Sequence, residues 1–511
     1  MNTIFTGNTL FSSNVILVSR STFFQEMKSM REFDFEPFGV NGAVVAGKLD
    51  LTFHTKLKRY KVVNADAKHV ANIFGCLVER HIKHGSVTAD STVTSDFPIH
   101  STDDLERFVT GLNGSFIVES LSPLPHRLYP DAGGTIPIVY CPSSGRLASS
   151  AGMMMNAAEY EERFLRDRYN RLIGNEISGA WIPGFLTAHE GLWRLLPNFF
   201  LDLQTWEVRR FWPKKENIHA TISVEDAAQS VAADLRGYVN AVAAQFPTIA
   251  NTLTAGFDTR IILSASRDVC EQCEFFTFGT KDHGLDPVVA EKIARKLGLK
   301  HRFLEPVLSS EKDKEQWDIL VGHSTHEVNR NLYKTLSLLT SDVMLTGMYG
   351  ETGRSRLYQK ELDRIEKASI TDRFVAGRIS APMDDAEVVA TLNAWLKTID
   401  WAPNWKILDL AFNELRFGGW AMAQATAARG VQFTLIPFAQ YSVQEAFMNV
   451  RPSEKTTSEL FHRIGTLLWP EAMEFSINKF DDYRDQVKIL KKLTSRTHLT
   501  RGWRLLKTKL R

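Results

Sequence analysis

Cysteine is scarce in this chain: Cys76, Cys141, Cys270 and Cys273 are the four among 511 residues. Four thiols cannot frame a fold of this length with disulfides, and reduced thiols in a cytosolic compartment are the simpler account. Cys270 and Cys273 form one CxxC, but no second CxxC or neighbouring His pair accompanies it. A short loop with two semi-buried thiols is expected there, rather than metal or redox chemistry. A charge excess of one sign is also missing. The formal net charge is +2 with 23% charged residues, so bulk electrostatics argue for neither a nucleic-acid binder nor an acidic-substrate trap. No apolar run approaches the roughly 18 residues that span a bilayer. The opening stretch MNTIFTGNTLFSSNVILVSR lacks a basic start, and its apolar run is too short for a signal peptide. A cytoplasmic or membrane-peripheral protein is expected. Internal repeats, low-complexity segments, a GxxxxGK[ST] loop and a GxGxxG loop are all absent.

What the chain has is apolar mass: 44% of its residues are hydrophobic, enough for large cores and more than one domain. Residues 36–150 carry short β-like runs (GAVVAG, LDLTFHT, GSFIVES, TIPIVYC) between Gly, Ser, Pro and Asn clusters, which predicts an antiparallel β-rich domain. Residues 156–180 read as helical, and 196–215 as strands or a hairpin reaching Pro213. From Ser223 the period changes. Ser223 and Asp226 make a capping-box-like start, and Val231, Leu235, Val239, Val242 and Phe246 recur at helical spacing. Beyond Pro247 strands alternate with helices: TIANTL, then TRIILSASRD, CEFFTFGT, DPVVAEKIARKLGL and HRFLEPV. This order predicts βαβ units on a parallel sheet, to which SDVMLTG adds a further strand. The rest to about 480 reads as mostly helical. The chain therefore divides into residues 1–215, 216–480 and a basic amphipathic tail, 481–511. That tail has ten Lys or Arg against three Asp, interleaved with Val487, Leu490, Leu493, Trp503 and Leu506. Such a tail suits a membrane surface, an anionic polymer or a partner, or is simply a solvated helix face.

The stretch LTAGFDTR, Leu253 to Arg260, falls where the first parallel strand gives way to a helix. In open α/β sheets ligands sit at such places. Ala255 and Gly256 let backbone amides approach an oxyanion, Thr254 and Thr259 add hydroxyls, and the helix dipole points its positive end there. Asp258 would repel a bare phosphate and makes sense with a bridging Mg2+. The plainer reading is an ordinary βα turn with Asp258 as N-cap; on these residues alone the two stand side by side.

LTAGFDTR resembles the pyrophosphate loop, SGGxDS, of the N-type ATP pyrophosphatases, and specifically that of the asparagine synthetase family. FFTFGTKDHGLDPVVAEKIARKLGLKHRF is similar to that family's second strand and helix, and LTGMYGE, residues 345–351, to its second loop, SGEGxDE. IPF at 436–438 and INKF at 477–480 fall where its helical portion and catalytic Lys are expected. LNGSFIV, DAGGTIPIVY, LASSAG and LPNFFLDL resemble the back half of its glutaminase domain and linker. The resemblance implies an α/β parallel-sheet ATP-pyrophosphatase domain with a helical C-terminal part, preceded by a β-rich α+β glutaminase-like domain. It also implies ATP and Mg2+ as cofactors: a carboxylate is activated to an acyl-adenylate, and an amine then attacks. Carried over by position, Thr254, Ala255, Gly256, Phe257, Asp258 and Thr259 would hold the pyrophosphate, and the backbones of Leu253, Phe278, Thr346 and Gly347 would frame adenosine. Asp258 and Glu351 would hold Mg2+, and Lys479 would stabilise the leaving group and tetrahedral intermediate.

Two departures redirect the expected function. Residue 2 is Asn where the family's glutaminase has its Cys nucleophile, and no Cys precedes Cys76. Glutamine hydrolysis is therefore not expected, and the first domain reads as a structural remnant. Met348 replaces the Glu that serves ammonia attack, and a thioether cannot act as a base. On the model of the β-lactam synthetase branch, Tyr349 and Glu414 become the candidates, against a plain helix Glu paired to an Arg. The expectation is an amide-forming ligase of the asparagine synthetase type, related to β-lactam synthetase and lasso-peptide cyclase. It would act on small-molecule, peptide or polysaccharide carboxylates and amines, with a homodimer allowed and no nucleic acid. Ammonia-dependent asparagine synthesis and a catalytically degenerate scaffold are the alternatives.

Overall fold

A computed structural model describes residues 37–486 apart from 175–178, 282–283 and 327. The basic run 487–511 and Asn2 lie outside the described residues. The protein is α/β, with a β-rich N-terminal region followed by a parallel sheet and helices.

The β-rich region holds two sheets. One has five strands, in the order Trp193–Leu195, Ile138–Cys141, Arg146–Ala148, Val40–Val45, Lys48–Phe53, all antiparallel. The other has eight, with Gly114–Ser120 and His69–Leu77 at its centre. Gly114–Ser120 is buried along its whole length, as a central strand must be when both faces are covered. Phe53 of the first sheet meets Phe74 of the second with ring centroids 5.9 Å apart, so the two sheets share apolar contacts. The hairpin expected near 196–215 is present as Phe199–Asp202 paired with Val208–Arg210 at the edge of the larger sheet.

Helix Val224–Gln245 follows. Its N-cap Ser223 accepts the Asp226 amide, and its buried face is Val224, Val231, Leu235, Val239 and Val242. Next come the parallel strands Ile249–Thr252, Cys273–Phe278, His301–Leu304 and Val343–Leu345, joined at the far edge by Thr434–Leu435. That last strand went unforeseen because only two of its residues pair. Across the sheet the order is His301–Leu304, Cys273–Phe278, Ile249–Thr252, Val343–Leu345, Thr434–Leu435. The chain thus builds outward from Ile249–Thr252 in one direction and then reverses. The reversal lies between Ile249–Thr252 and Val343–Leu345, the kind of place where open α/β sheets bind ligands beyond the carboxyl ends of their strands. Residues 404–431 are helical as expected, but Ala411–Ala421 is wound as a wider π-helix between two α-helical stretches.

One short antiparallel pair, Ala180–Trp181 with Thr325–His326, ties the two halves together. No helix among the described residues is long and apolar enough to cross a membrane.

Candidate functional site

Two loops meet at the reversal point: Leu253–Asp258 after the first parallel strand and Thr346–Glu351 after the fourth. Their contact depends on glycine. A Cβ on Gly347 would lie 2.7 Å from the carbonyl carbon of Asp258, and one on Gly350 would collide with the Asp258 carboxylate. Larger residues at either position would force the loops apart.

The helix after the first loop runs Phe257–Ala265, so it begins two residues before the expected Thr259. Gly256 is its N-cap and no side chain caps it, which leaves the positive end of the helix uncapped at the first loop. Asp258 is the second residue of the helix, not its cap; the plain-turn reading with Asp258 as N-cap is corrected. Within the loop, Thr254 and Thr259 join hydroxyls at 2.7 Å, the Thr254 amide donates to Thr259 Oγ1 (3.1 Å), and the Gly256 amide donates to Thr254 Oγ1 (3.2 Å). The Ala255 amide donates to Asp286 Oδ1 at 2.9 Å, so a carboxylate already sits on this loop. Asp286, in the first turn of helix Leu285–Leu297, was not among the expected site residues. The amides free of this internal bonding belong to the first turn of the helix rather than to the turn before it.

Asp258 and Glu351 converge from the two loops. Asp258 Oδ2 accepts from Arg354 Nη2 at 2.5 Å, while Asp258 Oδ1 and Glu351 Oε2 are buried with no hydrogen-bond partner among the described residues. Burial raises the Asp258 carboxyl above its ordinary range against the pull of Arg354. Burial, then the neighbouring Asp258, pushes Glu351 up to about 7. Two desolvated acids facing each other resist joint ionisation unless a cation lies between them. Among the described residues no cluster of three or more His, Cys, Asp or Glu could hold a metal. A two-carboxylate site nevertheless suits Mg2+, which takes one or two carboxylates and completes its octahedron with phosphate oxygens and water. The two orphaned oxygens therefore fit the cation.

Arg354 escaped sequence reading altogether. Its guanidinium lies over Phe257 (5.6 Å) and Phe461 (5.4 Å), which fix it beside Asp258. The ion pair spans 96 residues of chain, and only the meeting of the loops creates it.

The positions expected to frame adenosine lie around the same end of the sheet. Leu253 is buried, its amide bonded to the Phe276 carbonyl (2.8 Å) and its own carbonyl accepting from Thr277 Oγ1 (2.7 Å). Phe278 ends its strand with its ring 49% exposed. Thr346 is half-buried and Gly347 buried.

Lys479 is exposed, and the segment carrying it docks on the first loop: the Asn478 amide donates to the Ala255 carbonyl at 2.9 Å. Three basic residues hold that segment down. Buried Arg260 donates through Nη1 to the carbonyls of Ala472 and Phe475, both at 3.1 Å. Lys292 bonds the Phe480 carbonyl (2.5 Å), and Lys296 pairs with Glu474.

Tyr349 and Glu414, the expected base candidates, are committed elsewhere, and that expectation is corrected. Tyr349 has left-handed backbone (φ 72°), its ring stacks on Phe417, and its hydroxyl donates to the Gly133 carbonyl at 2.5 Å in the β-rich region. Glu414 is wholly buried and takes both arms of Arg210 (2.5 and 2.7 Å), with Asn198 Nδ2 (2.8 Å) and Trp395 Nε1 (2.6 Å) completing its shell. It is the helix Glu paired to an Arg, though that Arg is Arg210. Met348 is half-buried against the core. Burial pushes the CxxC thiols up, Cys270 to about 11 and Cys273 to about 12, so neither is poised as a thiolate.

Compared with known proteins, the chain matches no family model and no curated protein.

Proposed function

We propose that this protein is an ATP-dependent, AMP-forming carbon–nitrogen ligase. It adenylates a substrate carboxylate with release of pyrophosphate and passes the acyl group to an amine, without hydrolysing glutamine. The observation that carries this reading is the convergence of Asp258 and Glu351, each with a buried orphaned oxygen, at the reversal point of a parallel sheet beside an uncapped helix N-terminus. Helix ends of this kind hold phosphate groups. The topology supports kinship with the ATP pyrophosphatases, and the β-rich region would be the remnant of a glutaminase-like domain.

In this reading Asp258 Oδ1 and Glu351 hold Mg2+, which when bound neutralises phosphate oxygens. Thr254, Thr259 and the first-turn amides orient the pyrophosphate, while Leu253, Phe278, Thr346 and Gly347 border the adenosine. Arg354 keeps Asp258 Oδ2 and so presents Oδ1 to the cation. Lys479, on the segment clasped to Ala255, brings a compact positive charge to the leaving group. Tyr349 and Glu414 take no part in proton transfer.

The scaffold reading has one observation in its favour: Arg354 on Asp258 and Asp286 on the Ala255 amide leave the loop largely satisfied without a nucleotide. Titration calorimetry with ATP, with and without Mg2+, separates the two. Mg2+-dependent binding that is lost in Asp258→Asn is expected, with pyrophosphate release on adding a substrate carboxylate. Lys479→Met should keep ATP binding and lose at least ~100-fold in pyrophosphate release. Absence of ATP binding in the presence of Mg2+ leaves only the scaffold. Asparagine formed from aspartate and ammonium ions would identify the narrower, ammonia-using enzyme.

A further inference from the structure

Asp286 is an exposed residue in the first turn of helix Leu285–Leu297, and its carboxylate reaches back to the first loop. The residue it meets there is Ala255, which is wholly buried and carries only a methyl group, so its backbone groups are the handles by which it can be held. Both are taken. On one side the Ala255 amide donates to Asp286 Oδ1 at 2.9 Å; on the other the Ala255 carbonyl accepts from the Asn478 amide, also at 2.9 Å. The next amide along, that of Gly256, donates to Thr254 Oγ1. The two peptide planes flanking Ala255 are therefore fixed, and with them the point from which helix Phe257–Ala265 sets out.

Asn478 has left-handed backbone (φ 57°), and its side-chain oxygen lies 3.9 Å from where a Cβ on Gly256 would stand, so it touches the loop twice. Lys479 follows directly. Three stretches remote in sequence thus meet on one small residue, in the order Asp286, Ala255, Asn478 and then Lys479. The other bonds that hold this segment, from Arg260, Lys292 and Lys296, end on Ala472, Glu474, Phe475, Phe480 and Asp482. Asn478 itself hangs on the Ala255 carbonyl. On the ligase reading the Asp286 charge repels the pyrophosphate that the same loop receives, a cost offset by what the carboxylate holds in place. A charge-assisted bond is also the stiffer kind of link.

We propose that Asp286 is a positioning residue for Lys479: by fixing the Ala255 backbone it fixes the carbonyl on which Asn478 hangs, and so the place where the lysine charge is delivered. The inference rests on the ligase reading above. Two measurements on the full chain test it without the unknown carboxylate. The first is hydrogen exchange at the Asn478 amide, and the second is labelling of Lys479 by adenosine diphosphopyridoxal, whose aldehyde condenses with an amine beside bound phosphates and is then fixed by borohydride. The wild type should label at Lys479, with protection by Mg2+–ATP. Asp286→Ala should keep Mg2+–ATP binding but lose at least ~10-fold in both Asn478 protection and Lys479 labelling. Asp286→Asn, which keeps a side-chain acceptor, should restore both. An acidic residue in a first turn also favours the helix dipole, but that benefit vanishes equally in the Ala and Asn variants. Unchanged Asn478 protection in Asp286→Ala, or an Asn variant no better than the Ala variant, would overturn the proposal. So would an Ala variant that labels normally and binds Mg2+–ATP more tightly, since Asp286 would then be a plug on the Ala255 amide. A wild type that binds no Mg2+–ATP would instead strike the ligase reading, and the role toward Lys479 with it, even if the exchange pattern held.

Discussion

Asp258 and Glu414 are both carboxylates gripped by an arginine, Asp258 partly and Glu414 wholly withdrawn from water, yet they are built for opposite ends. Glu414 has four donors on its two oxygens, from Arg210, Asn198 and Trp395, and nothing is left to bind. Asp258 has Arg354 on one oxygen, while the other, like Oε2 of the nearby Glu351, has no hydrogen-bond partner among the described residues. A polar group that serves only the fold is saturated, because each unmet lone pair would cost stability. In the function proposed above, the unmet lone pairs of Asp258 and Glu351 are the ones that Mg2+ would take.

The comparison can be broken most violently at its saturated end. Glu414→Ala leaves Arg210 buried without its partner and strips Trp395 and Asn198 of their acceptor; a loss of about 3–5 kcal/mol is expected in denaturant unfolding. ATP affinity per folded molecule should be unchanged. A stable variant with impaired turnover would instead return Glu414 to the chemistry.

At the unsatisfied end the sign reverses. Glu351, raised from 4.5 to about 7 in the folded chain, holds a proton there that the unfolded chain has released. Its contribution is thus fully present below about pH 4.5 and is lost as the pH climbs through 7, by at most about 3 kcal/mol. Glu351→Gln cannot ionise. Compared with the wild type in chelator, it should be more stable at pH 8, match it near pH 5, and bind no Mg2+–ATP. Equal pH slopes in the two proteins would show that the carboxylate pair carries no such strain. The smallest effect is expected at Tyr349. Tyr349→Phe removes one buried hydrogen bond, to the Gly133 carbonyl, at about 1 kcal/mol, and should leave turnover intact. A large fall in turnover with unchanged stability would reinstate the hydroxyl as a base.

Much of the parallel sheet could be read from sequence, because each strand and helix announces itself through local period: TIANTL, CEFFTFGT and DPVVAEKIARKLGL all stand where expected. That LTAGFDTR and LTGMYGE belong together was legible only through the family resemblance, which made Asp258 and Glu351 partners; the close approach at Gly347 and Gly350 shows only in the structure. What eluded sequence reading depends on direction and distance. Tyr349, in the second loop next to Met348, is a base candidate only on the model of the β-lactam synthetase branch. Its left-handed backbone, however, sends the side chain across to Gly133, and spacing carries no trace of that. Arg354 and Asp286 act through contacts to residues 96 and 31 positions away. Thr434–Leu435 pairs through too few residues to leave a pattern.

Arg260 fastens the stretch LTAGFDTR to Ala472 and Phe475, more than 200 residues downstream. During synthesis this side chain is made long before its acceptors exist, so the packing of 472–478 against the first loop is completed among the last parts of the fold. A nascent or truncated chain ending before 470 would carry the first loop without the segment that docks on it, and an Arg260 guanidinium without its two carbonyl acceptors.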